Sequence, residues 1–286
     1  WLDDGYFPDR QPLERTAMPI HNHPSTDYVK RHFNEPLGRY ETYYICEAYE
    51  GACTIMGYKD DVDLEAWEKA ARESENRKVI QDWREYVEVW DSNVGDLYLI
   101  PPGTAHGHGG NQMVLEMDTC PSAAATEYSF FTYDFARPSW DDSTKTMTGK
   151  PLRMHAEHAF DNEKWRRGSW VKDHLLAKPK VEQWTKEYKL DRYVSLPEMP
   201  FEVERFHFDH QAQGTTIGAD GQGAVRILTL TIGKRAVIRS CADSERRTEI
   251  ERFQSAILPA VFGDFVVESM DGGFCEVVQF RWKDKA

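Results

Sequence analysis

The last third of the chain, from residue 199 onward, consists of short apolar stretches separated by turns that contain glycine. These stretches are PFEVERFHFD, AVRILTLTIG, RAVIR, FQSAILPAVFGDFVVESMDG and FCEVVQFRW. Their aromatic and β-branched residues favour strands over helices. Many short strands at this spacing are typical of a sandwich or a barrel. We therefore expect residues 199–286 to form a β domain of their own.

The first half of the chain also has strand-like stretches, but a helical segment interrupts them. Residues 40–57 are rich in aromatic and β-branched residues and predict strands around a Glu-Gly turn at 50–51. Residues 61–89 change to helical spacing and predict a pair of helices. Strand patterns return at 94–118 and again at 127–135. These changes predict a β framework that carries a helical insertion.

The predicted elements divide the chain into two β domains with a connector between them. We expect the first domain to cover residues 1–156, with its helical insertion at 61–89. Residues 157–190 are polar, with tryptophans at irregular spacing, so we expect short helices in a connector at 157–198. The second domain then covers residues 199–286. The expected class is mainly β.

Composition excludes several classes of protein. The hydrophobic fraction is 40% of 286 residues, which is enough to build a core, and no apolar run reaches the roughly 20 residues that span a bilayer. The formal net charge of −13 argues against a nucleic-acid partner, which requires a basic face. Five cysteines without a CxxC spacing predict reduced thiols in the cytoplasm. A small anionic substrate stays compatible with this charge, and so does a homodimer.

Two histidines in the segment MPIHNHP are candidate metal ligands. His21 and His23 are two positions apart, and side chains at i and i+2 lie on the same face of a strand. Taken alone, the pair is also compatible with exposed or capping histidines. The segment LIPPGTAHGHGGN adds a tight Pro-Gly turn before His106, where a strand is expected to begin.

These residues resemble the two sequence motifs of the cupin superfamily. His21, His23 and Glu41 match the first motif, and Pro102, Gly103, His106 and Asn111 match the second. Three imidazoles and one carboxylate make a site suited to Zn, Mn, Fe, Ni or Co. The resemblance implies tandem double-stranded β-helix (jelly-roll) domains. Neighbouring barrel strands would bring the four ligands together, with water in the remaining positions. His108 would lie on the same face as His106, as an alternative ligand or, as we expect, as a contact to substrate.

The chain further resembles class I mannose-6-phosphate isomerases, particularly their short bacterial form. The matching stretches follow one another in the same order, namely HNHP, GRYE, IPPGTAH, VLE, YDFAR and GKPLRMH. The resemblance implies a zinc-dependent aldose–ketose isomerase that acts on a sugar or sugar phosphate through an enediol or enediolate. It also implies that His23, Glu41, His106 and the residue at the family's glutamine position hold the metal. That position is His21 here. The second domain is expected to lack a metal.

Three positions differ from the pattern of these isomerases. His21 replaces a glutamine, which changes the ligand set. Arg39 replaces a lysine, which keeps the positive charge but not the ability to act as a neutral base. Ser129 stands where the bacterial isomerases carry a catalytic arginine. The nearest replacement is Arg137, which either stabilises an enediolate oxygen or forms a surface ion pair. The catalytic candidates are therefore Arg137, Arg39 and His108.

Other charged residues have two interpretations at this stage. Lys150, Arg153 and the pair Arg166–Arg167 are phosphate ligands or solvated surface charges. His155 and His158 imitate a metal site but are expected to be structural. The altered positions leave two further functions open: another metal-dependent cupin enzyme, such as an epimerase or a dioxygenase, and a sugar-binding module without turnover.

Overall fold

The computed structural model describes residues 2–3, 17–74, 78–80, 82–119, 128–135 and 139–283. The chain divides into two compact units, which comprise residues 1–176 and 177–286. Each unit is built mainly from antiparallel strands. Among the described residues, no helix is both long and apolar enough to cross a membrane.

Unit 1 is organised around one extensive antiparallel sheet. Six of its strands pair in the order β10-β5-β3-β6-β2-β7. The long strands β3 and β6 lie at the centre and pair along most of their length. In addition, β1 pairs with β6, β4 pairs with β3, and β8 and β9 form a separate hairpin. The strands are β1 (Leu2–Asp3), β2 (Ile20–Asn22), β3 (Glu41–Tyr58), β4 (Val87–Asp91), β5 (Leu97–Ile100), β6 (His106–Asp118), β7 (Phe130–Tyr133), β8 (Ser139–Asp141), β9 (Thr146–Thr148) and β10 (Leu176–Ala177).

A large bulge divides β3 into two halves. The register passes from Ala48 opposite Gln112 to Cys53 opposite Gly110, so four residues of β3 face one residue of β6. Gly51 lies in this bulge with a φ of 81°, a value that glycine adopts readily. Asn111 donates its side-chain amide to the Glu50 carbonyl at 3.0 Å. The Glu-Gly turn expected at 50–51 is thus a bulge within one continuous strand.

Four helices lie among the described residues of unit 1: α1 (Thr26–Phe33), α2 (Leu64–Ser74), α3 (Ala156–Asn162) and α4 (Gly168–His174). Helix α1 begins where the Ser25 side chain accepts a hydrogen bond from the Tyr28 amide, and it ends at Asn34 in the left-handed conformation. Helix α2 buries Trp67 and Ala71, as their spacing predicts.

The second half of the segment 61–89 differs from the expected helix. Residues Trp83–Glu85 form a single 3-10 turn, and β4 follows directly. The β-branched residues Val87 and Val89 pair with β3, opposite Tyr58 and Ile55. An edge of β3 was available for pairing, and β-branched residues fit a pleated surface better than a helix. This tertiary contact outweighs the local helical spacing.

Aromatic side chains dominate the core between the helices and the sheet of unit 1. Trp67 and Trp83 are almost fully buried and contact the aromatic residues of β3 and of the segment that begins with β7. Burial of large rings is the principal favourable contribution to such a core. The cluster comprises Ala17, Ile20, Ile55, Tyr58, Trp67, Ala71, Trp83, Val87, Ala105, Tyr133, Phe135, Ala156 and Phe160.

Unit 2 is a sandwich of two antiparallel sheets. One sheet has the order β11-β12-β13-β20-β15-β18, and the other has the order β14-β19-β16-β17. The strands are β11 (Pro179–Trp184), β12 (Tyr188–Tyr193), β13 (Phe201–Phe208), β14 (Gln211–Thr215), β15 (Arg226–Ile232), β16 (Arg235–Ser240), β17 (Arg247–Glu251), β18 (Ser255–Leu258), β19 (Asp264–Ser269) and β20 (Cys275–Trp282).

The core of unit 2 lies between these two sheets. Phe206 and Leu228 from the larger sheet pack in one buried cluster with Ile238 and Phe265 from the smaller sheet. Alternate residues of each strand point into this layer, as the strand period requires. Strands β11 and β12 belong to this unit, although their sequence suggested a connector.

Candidate metal centre

The four predicted ligands come together inside unit 1. One potential ligand atom from each of His21, His23, Glu41 and His106 lies within 4.8 Å of the others, and all four residues are buried. The site depends on strand pairing: His21 of β2 is opposite His106 at the start of β6, and Glu41 begins β3. The pairing of β3 with β6 joins the remaining elements. The structure therefore confirms that these residues are neighbours.

The imidazole groups surround the Glu41 carboxylate closely. His23 Nε2 lies 2.8 Å from Glu41 Oε2, and His106 Nε2 lies 2.9 Å from the same oxygen. The His21 ring is centred 4.2 Å from the ring of His106 and 5.1 Å from that of His23. Three imidazoles and a carboxylate thus face one small interior volume.

Each of the three histidines is held by a backbone carbonyl through its other ring nitrogen. His21 Nδ1 lies 2.7 Å from the Pro19 carbonyl oxygen, and His106 Nδ1 lies 2.8 Å from that of Thr104. His23 Nδ1 lies 3.0 Å from the Tyr128 carbonyl oxygen. A carbonyl can only accept, so Nδ1 carries the proton in each ring and Nε2 presents its lone pair. Metal-binding histidines are commonly oriented in this way.

This arrangement of donors fits a divalent cation. Burial lowers the pKa of His21, and it lowers the pKa of His23 to about 4 even though Glu41 acts in the opposite direction. The neutral His23 ring therefore directs a nitrogen lone pair at a carboxylate oxygen, an arrangement that is repulsive without a positive charge between them. A bound divalent metal supplies that charge, and imidazole and carboxylate are ligands that such metals accept.

The Pro-Gly turn before His106 holds distant segments of the site together. The Gly103 amide donates to the His23 carbonyl at 2.8 Å, and the Gly103 carbonyl accepts from the Lys164 amide at 2.9 Å. Gly103 has a φ of 71°, and a Cβ at this position would lie 2.5 Å from the Asn162 carbonyl oxygen. Both the backbone conformation and the close approach require glycine.

Arg39 connects the site to two carboxylates that belong to none of the sequence motifs. Its Nη2 atom lies 3.2 Å from Glu41 Oε1, 2.7 Å from Glu116 Oε1 and 2.8 Å from Asp118 Oδ2. Glu116 and Asp118 are two positions apart on β6, which is the same spacing as His21 and His23. This spacing is the sequence feature that could have indicated that both carboxylates face the site. Burial and the neighbouring Glu41 raise the pKa of Glu116. Arg39 therefore balances a cluster of three acidic groups.

The remaining catalytic candidates have different positions. His108 is buried on β6, two residues after His106, and its ring is centred 6.4 Å from that of Tyr43. Tyr43 in turn lies 5.8 Å from the His106 ring. Arg137 lies outside the described residues. Ser129, at the position of the expected arginine, accepts a hydrogen bond from Arg39 Nη1 at 3.4 Å.

The other charged candidates are not members of the four-ligand cluster. Arg166 donates to the Pro102 carbonyl and to the Thr104 hydroxyl, and Arg167 donates to two backbone carbonyls of the segment 59–62. His155 Nδ1 accepts from the Phe131 amide, and His158 Nδ1 is bonded to the Tyr28 hydroxyl. Lys150 and Arg153 are exposed. His155, His158 and the two half-buried arginines thus make contacts to the surrounding protein.

No protein-family model matches the chain. Among curated proteins, a mannose-6-phosphate isomerase of Streptococcus mutans is 28% identical over 146 residues, which is 50% of this chain and 39% of that protein. The mannose-6-phosphate isomerase ManA of Bacillus subtilis is 26% identical over an alignment with the same coverage. The matched region thus spans about two fifths of the length of these relatives.

Solved structures show the same fold over nearly the whole chain. The mannose 6-phosphate isomerase from Bacillus subtilis has a TM-score of 0.67 at 19% identity, covering 93% of this chain and 72% of that one. A variant of phosphomannose isomerase from Salmonella typhimurium has a TM-score of 0.63 at 11% identity, covering 94% and 76%. The expected mainly β fold and the resemblance to mannose-6-phosphate isomerases inferred from the motifs are confirmed.

Proposed function

We propose that the protein is a metal-dependent aldose–ketose isomerase of the mannose-6-phosphate isomerase type, which interconverts a sugar or sugar phosphate through an enediol or enediolate. One observation carries the proposal: the three histidines and Glu41 form a buried cluster in which all three Nδ1 atoms are bonded to backbone carbonyls. Similarity to mannose-6-phosphate isomerases over 146 residues supports the same reaction class.

A metal in this cluster would polarise the carbonyl oxygen of an open-chain sugar, which makes the neighbouring C–H more acidic. The chain's own residues supply the nitrogen and carboxylate ligands. Zinc is our first choice, because a histidine-rich shell with one carboxylate suits it, and Mn, Fe, Co or Ni are the alternatives. The buried position excludes bulk water from the ligands, so charge interactions in the site are stronger than in solvent.

Arg39 is proposed to position Glu41 and to carry positive charge into the site. Its guanidinium bonds Glu41 directly and reaches Ser129, where the resembling isomerases carry an arginine. The guanidinium does not lose its proton, so its role is electrostatic and not that of a base. His108 is proposed as a substrate contact on the same strand face as His106. Arg137 is proposed to stabilise the enediolate oxygen.

The proposal is tested with purified protein loaded with Zn²⁺, Mn²⁺ or Co²⁺ and incubated with mannose 6-phosphate, then with unphosphorylated aldoses. We expect the corresponding ketose to form, and we expect His106→Ala to abolish its formation. His174→Ala serves as the matched control, because this exposed histidine of α4 lies outside the cluster. Absence of ketose product with every metal would contradict the proposal.

The ligand set favours one alternative. Three histidines and one glutamate, with His21 in place of glutamine, resemble the shells of other metal-dependent cupin enzymes, including epimerases and dioxygenases. Metal content by mass spectrometry separates the cases, since iron together with oxygen consumption would favour a dioxygenase. Sugar binding in calorimetry without turnover would indicate a binding module. A cytoplasmic location and a homodimer complete the proposal.

A further inference from the structure

The interior of unit 2 changes from apolar to polar along its strands. Phe206 and Leu228 belong to the apolar core, whereas Glu204 and Arg226 precede them by two residues on the same strand faces. Direct cross-strand neighbours share a face, and Glu204 is opposite Gln279 while Arg226 is opposite Arg281. The strand period thus collects charged and amide side chains at one end of the sandwich interior.

These side chains line a cavity of about 530 Å³. This volume lies in the range of about 300–1,000 Å³ that small-molecule sites occupy. Glu204, Arg226 and Gln279 are each less than 5% exposed, so the polar wall is built into the interior and is not a surface patch. Gln213 and Thr215 of β14, followed by residues 217–219, line the cavity from the other sheet.

The orientation of the Gln279 amide is determined by its neighbours. Glu204 Oε1 accepts hydrogen bonds from Arg192 at 3.0 Å and from Arg281 at 3.1 Å, and its Oε2 atom accepts one from Gln279 Nε2 at 2.8 Å. A carboxylate can only accept, so Gln279 must present its nitrogen to Glu204 and its oxygen to the other side. No donor among the described residues bonds that oxygen, although it is buried. Such an acceptor calls for a donor from a ligand.

The charges of the cavity wall specify the rest of the ligand. Three guanidinium groups (Arg192, Arg226 and Arg281) line the cavity, against the two carboxylates of Glu204 and Asp264. Guanidinium groups remain charged at all physiological pH values and match the oxygens of carboxylate or phosphate. Arg192 and Arg281 also pair with Glu202, outside the cavity lining, and Arg226 is buried in the wall. The wall therefore offers guanidinium groups together with an acceptor for a hydroxyl.

We propose that this cavity of unit 2, with Arg226 and Gln279 in its wall, binds a small hydroxylated anion, either a sugar phosphate or a sugar acid. A hydroxyl of the ligand donates to Gln279 Oε1, and its anionic group is held by the arginines. This site lies in the unit that carries none of the four metal-ligand candidates. It is therefore independent of whether unit 1 is an isomerase.

The test is calorimetry on the full chain after chelation of metal, with four probes: gluconate, glucose 6-phosphate, glucose and inorganic phosphate. We expect the two hydroxylated anions to bind, and we expect glucose and phosphate to bind at least about fivefold more weakly, since each lacks one of the two interactions. Binding by gluconate alone or by glucose 6-phosphate alone would identify the anionic group. His106→Ala should leave binding unchanged.

Two variants address the site directly. Gln279→Met removes the acceptor at similar size and should weaken binding at least about fivefold. Gln213→Glu adds a negative charge at an exposed position of the cavity wall, where folding is not at risk, and should weaken binding about two- to fivefold at low salt. Gln254→Glu is the matched control, because it makes the same change at an exposed position outside the cavity and should have no effect.

Three results would overturn the proposal. If no probe binds, the cavity holds water only. If glucose binds as tightly as gluconate, the arginines have no role in recognition. If Gln213→Glu and Gln254→Glu behave alike, binding occurs elsewhere on the chain.

Discussion

Both units of the molecule place polar side chains in the interior of a β framework, but they select different chemical groups. Unit 1 gathers histidines around one carboxylate, and the lone pairs of these rings face a common point. Unit 2 gathers arginines around Glu204, and the carboxylate there is already satisfied by three donors. The first arrangement requires a cation, whereas in the second the carboxylate already has its donors and the arginines and the amide of the wall are left to face the cavity. The same architecture therefore supports two kinds of binding site, and the side-chain chemistry decides between them.

The largest expected difference between the two units follows from removing the Glu41 carboxylate, which His23 and His106 both contact. Glu41→Gln should reduce the metal affinity at least about 100-fold, since even residues that only support ligands contribute about 10- to 100-fold. Metal content measured after dialysis checks this. Glu204→Gln in unit 2 is the comparison, and it should leave the metal content unchanged. Equal metal loss in both variants would mean that the metal does not bind at the four-ligand cluster.

The next effect concerns the residue that positions Glu41. Arg39→Met should lower the metal affinity about 10- to 100-fold, because Glu41 and Asp118 would lose their shared positive partner and Glu41 would lose its support. Arg205→Met, which removes a guanidinium bonded to Asp191 in unit 2, is the control for loss of a buried ion pair. Competition with a chromogenic chelator gives both affinities. Unchanged affinity in Arg39→Met would rule out the positioning role.

Alanine substitutions at two glycines with the same backbone conformation distinguish the cost of backbone strain from the cost of steric crowding. Gly103 in unit 1 and Gly221 in unit 2 have φ values of 71° and 74°, but only the Gly103 position is crowded by neighbouring atoms. Gly221→Ala should cost about 1 kcal/mol, from backbone strain alone. Gly103→Ala should cost about 1–3 kcal/mol more, because the new Cβ meets the backbone of Asn162. Urea unfolding monitored by circular dichroism measures both, and equal costs would contradict the packing argument.

The smallest effect is a pH dependence in unit 2. Burial alone would raise the pKa of Asp191, but Lys189 and Arg205 outweigh burial and lower it below the usual value of 3.8. A lowered pKa in the folded state means that this group stabilises the fold above pH 3.8 and that the contribution is lost as the pH falls through the folded-state pKa. Asp191→Asn should therefore cost about 1.5 kcal/mol at pH 7. The difference from the wild-type protein should shrink below about pH 4, and thermal unfolding at several pH values checks this.

The ligand cluster could be predicted because its residues carry an uncommon spacing. His21 and His23 share a strand face, and the PPGTAH turn fixes where β6 begins, so elementary strand geometry brings His106 beside them. The tandem β architecture could also be predicted, since short strands with glycine turns dominate both ends of the chain. These features depend on local patterns, which a sequence displays directly.

The remaining features depend on which strands become neighbours. Glu116 and Asp118 are ordinary acidic residues in an acidic chain, and only the pairing of β3 with β6 brings them to Arg39. The cavity of unit 2 receives its polar residues from different strands, and no single segment contains a motif. Val87 and Val89 became a strand because an edge of β3 was available. Strand partners and register arise from tertiary packing, so local spacing did not reveal them.

The Gly103 turn also has a consequence for the order of folding. Its amide and carbonyl join the segment after β2 to the segment after α3, and these segments are about 140 residues apart in the chain. Contacts of such long sequence separation form late, since a large loop must close before they contribute. A chain emerging during synthesis would therefore complete the hydrogen bonds of the Gly103 turn, which precedes the ligand His106, only after residue 164 has appeared. The turn beside the metal site would then reach its final form only when unit 1 is nearly complete.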